Sequence, residues 1–238
     1  MLSFENVGLR YGDAPETLQD VTFDVAPRSF QFLTGPSGAG KSTMASLLAR
    51  LYDVNGGAVR IDGHDVRHLT QASLRANVGV VLDEPFLFSV SVRDNIAYGA
   101  EDPTDEDIDR AARAARVDHF VRTLPDGYET LLTEGGGNIS AGERQLLTIA
   151  RAFLADPAIL ILDEATEGLA PLIRAEIWRC LDALKGEGQA ILVIDKNVDA
   201  ITALADRHVV IEKGRVVWTG SSDALRAAPD VQHRYLGV

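Results

Sequence analysis

Nine consecutive residues carry the most specific chemistry in the chain: Gly35-Pro36-Ser37-Gly38-Ala39-Gly40-Lys41-Ser42-Thr43. The first eight fit the spacing G-x-x-x-x-G-K-[ST], the phosphate-binding loop called Walker A. Three glycines let the backbone curl so that successive N–H groups face one concavity, which suits an anion. A helix that begins where the loop ends adds its own free N–H groups and dipole. Lys41 brings a full charge to the outer phosphates, and the Ser42 hydroxyl suits Mg²⁺. A nucleoside triphosphate is the ligand this chemistry implies. What its hydrolysis drives is not written in the loop.

A second constellation is Asp163-Glu164, which follows the apolar run Ile159-Leu160-Ile161-Leu162. Buried hydrophobes followed at once by two carboxylates are costly unless the charges have partners. Mg²⁺ and an attacking water are natural ones. Asp163 then reaches the metal, directly or through water, and Glu164 poises the water as general base. The bland reading is an exposed strand end. A third stretch, Gly135-Gly136-Gly137-Asn138 followed by Ile139-Ser140-Ala141-Gly142-Glu143, has two readings: an ordinary helix N-cap at Ser140, or a second anion site. Tyr11, ahead of the phosphate loop, also has two: a stacking platform for adenine, or a packed loop aromatic. The histidines at 64, 68, 119, 208 and 233 stand at no metal-like spacing and read as structural or surface groups. The lone Cys180 shares a helical face with Ile173, Ile177, Leu181 and Leu184 and reads as a small buried hydrophobe.

These groups need a framework of strands and helices. Residues 2–7 and 21–25 alternate apolar and polar as half-buried strands do. Phe30 to Leu33 is a strand that delivers the chain to the phosphate loop, and Met44 to Ala49 is the helix that leaves it. Gly56-Gly57 reads as a turn before a strand at 58–61, and Asp62-Gly63 as another turn. Helices are expected over 71–77, 108–117 (led in by a helix start with early acids at Thr104-Asp105-Glu106-Asp107), 144–154, 172–184 and 221–228. Strands are expected at 79–82, 159–162 and 190–194, with a hairpin at 208–212 and 215–218. Asp83 to Phe88 is a loop, since Pro85 opposes continuation of the strand. A chain of 238 residues is one large domain or two small ones. Apolar residues make 46% and charged residues 24%, ordinary for a soluble globular protein. The net charge of −12 speaks against coating DNA or RNA. No run approaches the ~18 unbroken apolar residues of a membrane span, and the N-terminus has no basic-then-apolar signal pattern.

Taken together, the motifs resemble the nucleotide-binding domain of ABC transporters over essentially the full length. The matching pieces are Tyr11, Gly35–Thr43, the 83–88 segment as the Q-loop, and Glu134 ahead of the signature. Ile139-Ser140-Ala141-Gly142-Glu143 stands against the family's LSGGQ, Ile159–Glu164 matches Walker B, Glu167–Ala170 the D-loop and Asp195-Lys196-Asn197 the switch loop. The resemblance implies an α/β P-loop NTPase core with an antiparallel β flank and an inserted α-helical subdomain, in a single domain of residues 1–238. The core covers about 1–71 and 156–238, and the helical part about 72–155. It also implies ATP as nucleotide and ATPase activity. Two copies pair head to tail, each ATP held between one copy's Gly35–Thr43 and the other copy's Ser140-Ala141-Gly142-Glu143. A membrane-spanning subunit or domain is the other partner, and the location is cytoplasmic, at the inner face of the membrane.

Three departures from the family pattern bear on hydrolysis. The Q-loop glutamine position holds Asp83, which brings a potential Mg²⁺ ligand and a negative charge. The switch histidine position holds Lys196, a catalytic-site group that can donate to phosphate and cannot accept a proton while charged. The D-loop aspartate position holds Ala170. The resemblance is also a mosaic. Residues 1 to about 43 are similar to cell-division ABC ATPases, 75–165 to exporters, and 167 onward to branched-chain amino-acid importers. Two origins fit this, a recombined or engineered sequence and a divergent natural subunit. Two functions also compete: an ATPase that drives a transporter, and an ATP-gated dimerisation module with little turnover. A chromosome or repair ATPase of related fold would carry long heptad segments, which are absent. A small-molecule P-loop kinase would leave residues 139–143 and 195–197 without a task.

Overall fold

The computed structural model describes residues 1–185, 188–195 and 202–236. By its contacts the chain forms two compact units, Met1–Val80 with Ala158–Glu164 and Lys185–Val238, and Val81–Pro157 with Ala165–Leu184.

The first unit is built on sheets. Strands β1 (Leu2–Arg10), β2 (Glu16–Val25), β4 (Gly56–Ile61) and β5 (His64–Asp65) form an antiparallel sheet in the order β2-β1-β4-β5. The second sheet contains β3 (Phe30–Thr34), β6 (Val78–Val81), β7 (Ile159–Asp163), β8 (Ala190–Ile194), β9 (Arg207–Glu212) and β10 (Arg215–Ser221). Its order is β10-β9-β3-β8-β7-β6. Strand β3 runs parallel to β8 and β9, β7 runs parallel to β8, and β10 returns antiparallel to β9. Every residue of β3, β7 and β8 is buried, which is why these strands read as unbroken apolar runs while β2 alternates. Phe4, Leu18, Leu33, Met44, Ile161 and Ile211 belong to one core cluster within this unit. Helix α1 (Lys41–Leu48) follows β3 after the phosphate loop.

Gly56 and Gly57, expected as a turn, instead open β4. The reason is close backbone approach. Gly57 has φ +72°, and a Cβ there would sit 2.2 Å from the Glu5 carbonyl oxygen, so the glycine admits β1 rather than reversing the chain.

The second unit is helical. It contains α3 (Val92–Ala97), α4 (Asp105–Ala114), α5 (Asp118–Val121), α6 (Ala141–Ala155) and α7 (Pro171–Leu184), while α2 (Gln71–Asn77) lies in the first. The sequence reading placed a helix at 108–117. The observed α4 begins in the expected helix start at Thr104–Asp107, where Thr104 and Asp107 form a reciprocal capping box, but it ends earlier than expected, before Arg116, whose left-handed φ of +56° cannot continue a helix. Short α3 and α5 were not expected from the pattern; Ser91 caps α3 by accepting from the Asp94 N–H. Residues 72–80, read as part of the helical subdomain, cluster with the sheets, since β6 is a strand of the second sheet. Residues 165–184, read as core, cluster with the helices, and the ion pair of Arg116 with Glu176 at 3.2 Å is one contact that holds α7 there. Cys180 is buried on α7 with Ile177, Leu181 and Leu184, and burial pushes its thiol up to about 11, so it stays a protonated hydrophobe.

Candidate functional site

The phosphate loop runs from the end of β3 into α1. Gly35 is required by its neighbour: a Cβ there would lie 2.0 Å from the Ile211 carbonyl oxygen. The loop closes on itself through the Ala39 N–H, which donates to the Pro36 carbonyl at 3.2 Å, and is tied outward by the Gly214 N–H donating to the Ala39 carbonyl at 3.0 Å. No side chain caps α1 and no acid lies in its first turn. Its leading N–H groups therefore keep their partial positive charge for an anion.

Lys41 is only 5% exposed. Its Nζ donates to the carbonyls of Gly35 and Pro36 at 3.1 and 3.2 Å and pairs with Glu164 Oε1 at 3.5 Å. A buried ammonium is tolerable only with such partners. Beside it, Ser42 Oγ donates to Asp163 Oδ1 at 3.1 Å. Asp163 is buried at the carboxyl end of β7. Glu164 follows with a left-handed φ of +51°, and its N–H donates to the Ile194 carbonyl on the neighbouring strand β8 at 2.8 Å. That twist turns the chain off the sheet edge while keeping the carboxylate within reach of Lys41. The four groups that the sequence assigned from two motifs more than 120 residues apart thus converge, with Ser42 and Asp163 separated by 121 positions.

A hydroxyl and a carboxylate are hard oxygen donors. Among the described residues no cluster of three or more His, Cys, Asp or Glu stands ready for a metal. A Ser42–Asp163 pair fits Mg²⁺, which keeps several waters and binds through one or two carboxylates plus phosphate oxygens. Asp83, the third proposed ligand, belongs to the helical unit, where its Oδ1 accepts from the Glu84 N–H at 2.9 Å. Tyr11 is 38% exposed and meets Tyr52 edge-on, with ring centroids 5.0 Å apart. Asp195 is buried just after β8; Lys196 lies outside the described residues.

In the helical unit, Ser140 is the N-cap of α6. Its Oγ accepts from the Glu143 N–H at 3.2 Å, and Glu143 Oε2 accepts from the Ser140 N–H at 2.7 Å. The two helix N-termini that the sequence nominated as anion sites therefore differ: α1 is bare, and α6 already holds a carboxylate of its own. The S-x-x-E spacing at 140–143 was the signal for this capping box. Two residues that sequence reasoning missed are Gln145 and Arg151 on α6, because an isolated polar residue on a helix has no motif to mark it.

Comparison with known proteins decides the family. The ABC transporter profile matches residues 18–167. The chain belongs to the ABC transporter family. An uncharacterised ABC transporter ATP-binding protein of Bacillus subtilis is 43% identical over 225 residues, 94% of this chain and 37% of that protein. A fatty acid ABC transporter ATP-binding/permease protein of Mycobacterium tuberculosis is 39% identical over 233 residues, 98% of this chain and 37% of its own length. Among solved structures, a bacterial Atm1-family ABC exporter with ATP bound superposes with a TM-score of 0.91 at 37% identity, covering 98% of this chain and 41% of that one. The chain thus spans little more than a third of the relatives it matches. It is an ABC ATP-binding domain, with the P-loop fold and the ATPase character of that family. Among the described residues, no helix is long and apolar enough to cross a membrane.

Proposed function

We propose that this ABC domain binds Mg-ATP at Gly35–Thr43, hydrolyses it with Glu164 as general base, and drives a membrane-spanning partner through head-to-tail pairing of two copies. The observation that carries the reading is the Lys41–Glu164 ion pair beside the Ser42–Asp163 hydrogen bond. Lys41 and Glu164 hold each other's charge, and an entering γ-phosphate offers Lys41 a stronger anionic partner. Glu164 is then released to accept a proton from water. As the water oxygen bonds to the γ-phosphorus, the bond to the bridging β–γ oxygen breaks, leaving ADP and phosphate. Ser42, Asp163 and Asp83 are the proposed Mg²⁺ ligands; the ion supplies neutralisation of the β- and γ-phosphate charge. Tyr11 stacks on adenine, and Lys196 donates to the γ-phosphate. Residues 1–238 act as one domain, at the cytoplasmic face of the membrane.

Partners follow from two surfaces. Ser140-Ala141-Gly142-Glu143 of one copy meets the ATP of the other, the phosphate sharing or displacing the Glu143 carboxylate at the Ser140 N–H. The membrane-spanning part docks on the exposed apolar face of the helical unit, where Phe86 is 66% exposed, Tyr98 68% and Leu131 71%. The Mycobacterium relative, named as an ATP-binding/permease protein, carries such a part in one polypeptide. The deciding experiment is steady-state Mg²⁺-dependent ATP hydrolysis by the chain and by Glu164→Gln. The substitution keeps shape and removes basicity, so turnover falls by roughly 10²–10⁴ while calorimetry shows ATP still bound. Hydrolysis at the parent rate would remove Glu164 from the reaction.

A further inference from the structure

Helix α6 does more than present Ser140. From its second turn, Gln145, 1% exposed, donates Nε2–H to the Leu82 carbonyl at 2.9 Å. From its last turns, Arg151 donates to the Phe86 carbonyl at 3.1 Å and to the Asn95 carbonyl and side-chain oxygen at 2.9 and 3.1 Å. Leu82 and Phe86 flank the segment that contains Asp83. One helix therefore pins both ends of that loop. The same guanidinium lies 5.5 Å from the ring centroids of Phe88 and Tyr98, and Phe86 packs edge-on against Phe88. Asn95, fully buried, locks the far side by accepting from the Phe88 N–H and donating to the Phe88 and Ser91 carbonyls. Arginine suits this place because its planar fork reaches three acceptors at fixed angles and stacks on rings, which lysine cannot do.

We propose that Arg151 is the positioning residue that makes the Asp83 loop, its exposed aromatic rim and the Ser140–Glu143 segment one mechanical piece, while Gln145 fixes only the Leu82 end of that loop. A load on Phe86 or Tyr98 is then felt at the first turn of α6, with Arg151 the obligatory link. The proposal rests on the function above for the source of that load, a docked membrane-spanning partner, and for its target, the phosphate at Ser140. It predicts coupling that exists in the free chain.

The test is hydrogen exchange of the Glu143 and Arg144 amides, which donate to Ser140 Oγ and to the Ser140 carbonyl, measured without nucleotide. Tyr98→Ala removes a ring that is 68% exposed and rests on Arg151 and Phe88, far along α6 from its first turn, yet raises exchange at these two amides by about threefold or more, since local opening reports local contacts. Arg151→Lys keeps charge and stem; alone it raises exchange similarly, and adding Tyr98→Ala to it changes nothing further. Gln145→Leu, which frees only the Leu82 end, leaves the Tyr98→Ala effect in place and is the control; if thermal melting shows that Arg151→Lys does not fold, Arg151→Gln takes its place, with the same expected result. Unchanged exchange in Tyr98→Ala, or effects of Tyr98→Ala and Arg151→Lys that multiply independently, overturns the link. A chain that shows the coupling yet has no Glu164-dependent hydrolysis keeps this inference and loses the proposed function; the converse result loses only the link.

Discussion

Lys41 and Glu164 show how a nucleotide site can be held ready by its own charges. Each is the other's counter-ion at 3.5 Å, and Lys41 has two loop carbonyls besides. Lys41→Ala removes the charge that would meet the phosphate and takes from Glu164 its ion pair with Lys41. A hydrogen bond to a charged group contributes about 1.5–3 kcal/mol, so Mg-ATP affinity measured by calorimetry falls at least tenfold. Unchanged affinity would contradict the assignment. Asp83 and Lys196 belong to the same scale. A neutral histidine can donate from one ring nitrogen and accept on the other, whereas Lys196 only donates. Asp83 is one methylene shorter than glutamine and adds a negative charge. We expect binding near normal and turnover below the ~1–10³ s⁻¹ usual for enzymes. Asp83→Gln combined with Lys196→His raises turnover about tenfold or more if these two groups limit it. A parent that turns over briskly, with no gain on either change, shows that both are sound parts of the site.

At the scale of elements, the contrast between the N-termini of α1 and α6 matters most. Helix α1 carries no cap and no early acid, while Glu143 closes a capping box on Ser140. Glutamine can form the same box without the charge. Glu143→Gln therefore keeps α6 intact and removes an internal anion that competes with phosphate, so ATP-dependent dimerisation, followed by light scattering across an ATP titration, sets in at lower ATP. Ser140→Arg acts in the opposite direction: it spares ATP binding by the single copy and blocks the dimer. A normal ATP-dependent dimer in Ser140→Arg would exclude this segment from the contact.

For the whole molecule, one acid-sensitive contribution to the first unit comes from a residue the site does not use. His208 is fully buried on β9, its Nε2 2.7 Å from Ser222 Oγ, with the Phe32 ring edge-on at 5.7 Å. Burial, with the nearby Arg226 charge adding to it, lowers its pKa from 6.5 to about 4. The unfolded chain therefore binds more protons than the folded one between these values, and stability falls as pH drops from about 6.5 to about 4. The shift corresponds to roughly 3 kcal/mol. Asp65 acts later: hydrogen bonds from Arg67 hold its carboxyl at about 2, so its contribution is lost only as pH falls from 3.8 towards 2. Urea unfolding at a series of pH values should show the first slope in the parent and a flatter profile over pH 4–6.5 in His208→Gln. An identical slope in both would acquit His208.

The sequence by itself determined the phosphate loop, the two carboxylates after β7 and the buried parallel strands, because each is a local pattern with a local cause. Gly35-to-Ser42 needs only backbone freedom and one charge; β7 needs only an apolar run long enough to cross a sheet and acids where it emerges. The family resemblance followed from the order of such patterns along the chain. Tertiary structure alone decided what those groups do to one another. It paired Lys41 with Glu164 and Ser42 with Asp163 across more than 120 residues, because strand order in the sheet, which no local pattern encodes, brings β7 within reach of the loop after β3. It turned Gly57 from a turn into a strand, since only β1 lying alongside requires a residue without a Cβ there. It also gave Arg151 its three carbonyl and amide oxygens and two rings, contacts from residues 86 to 98 that converge only once α6 is packed against them.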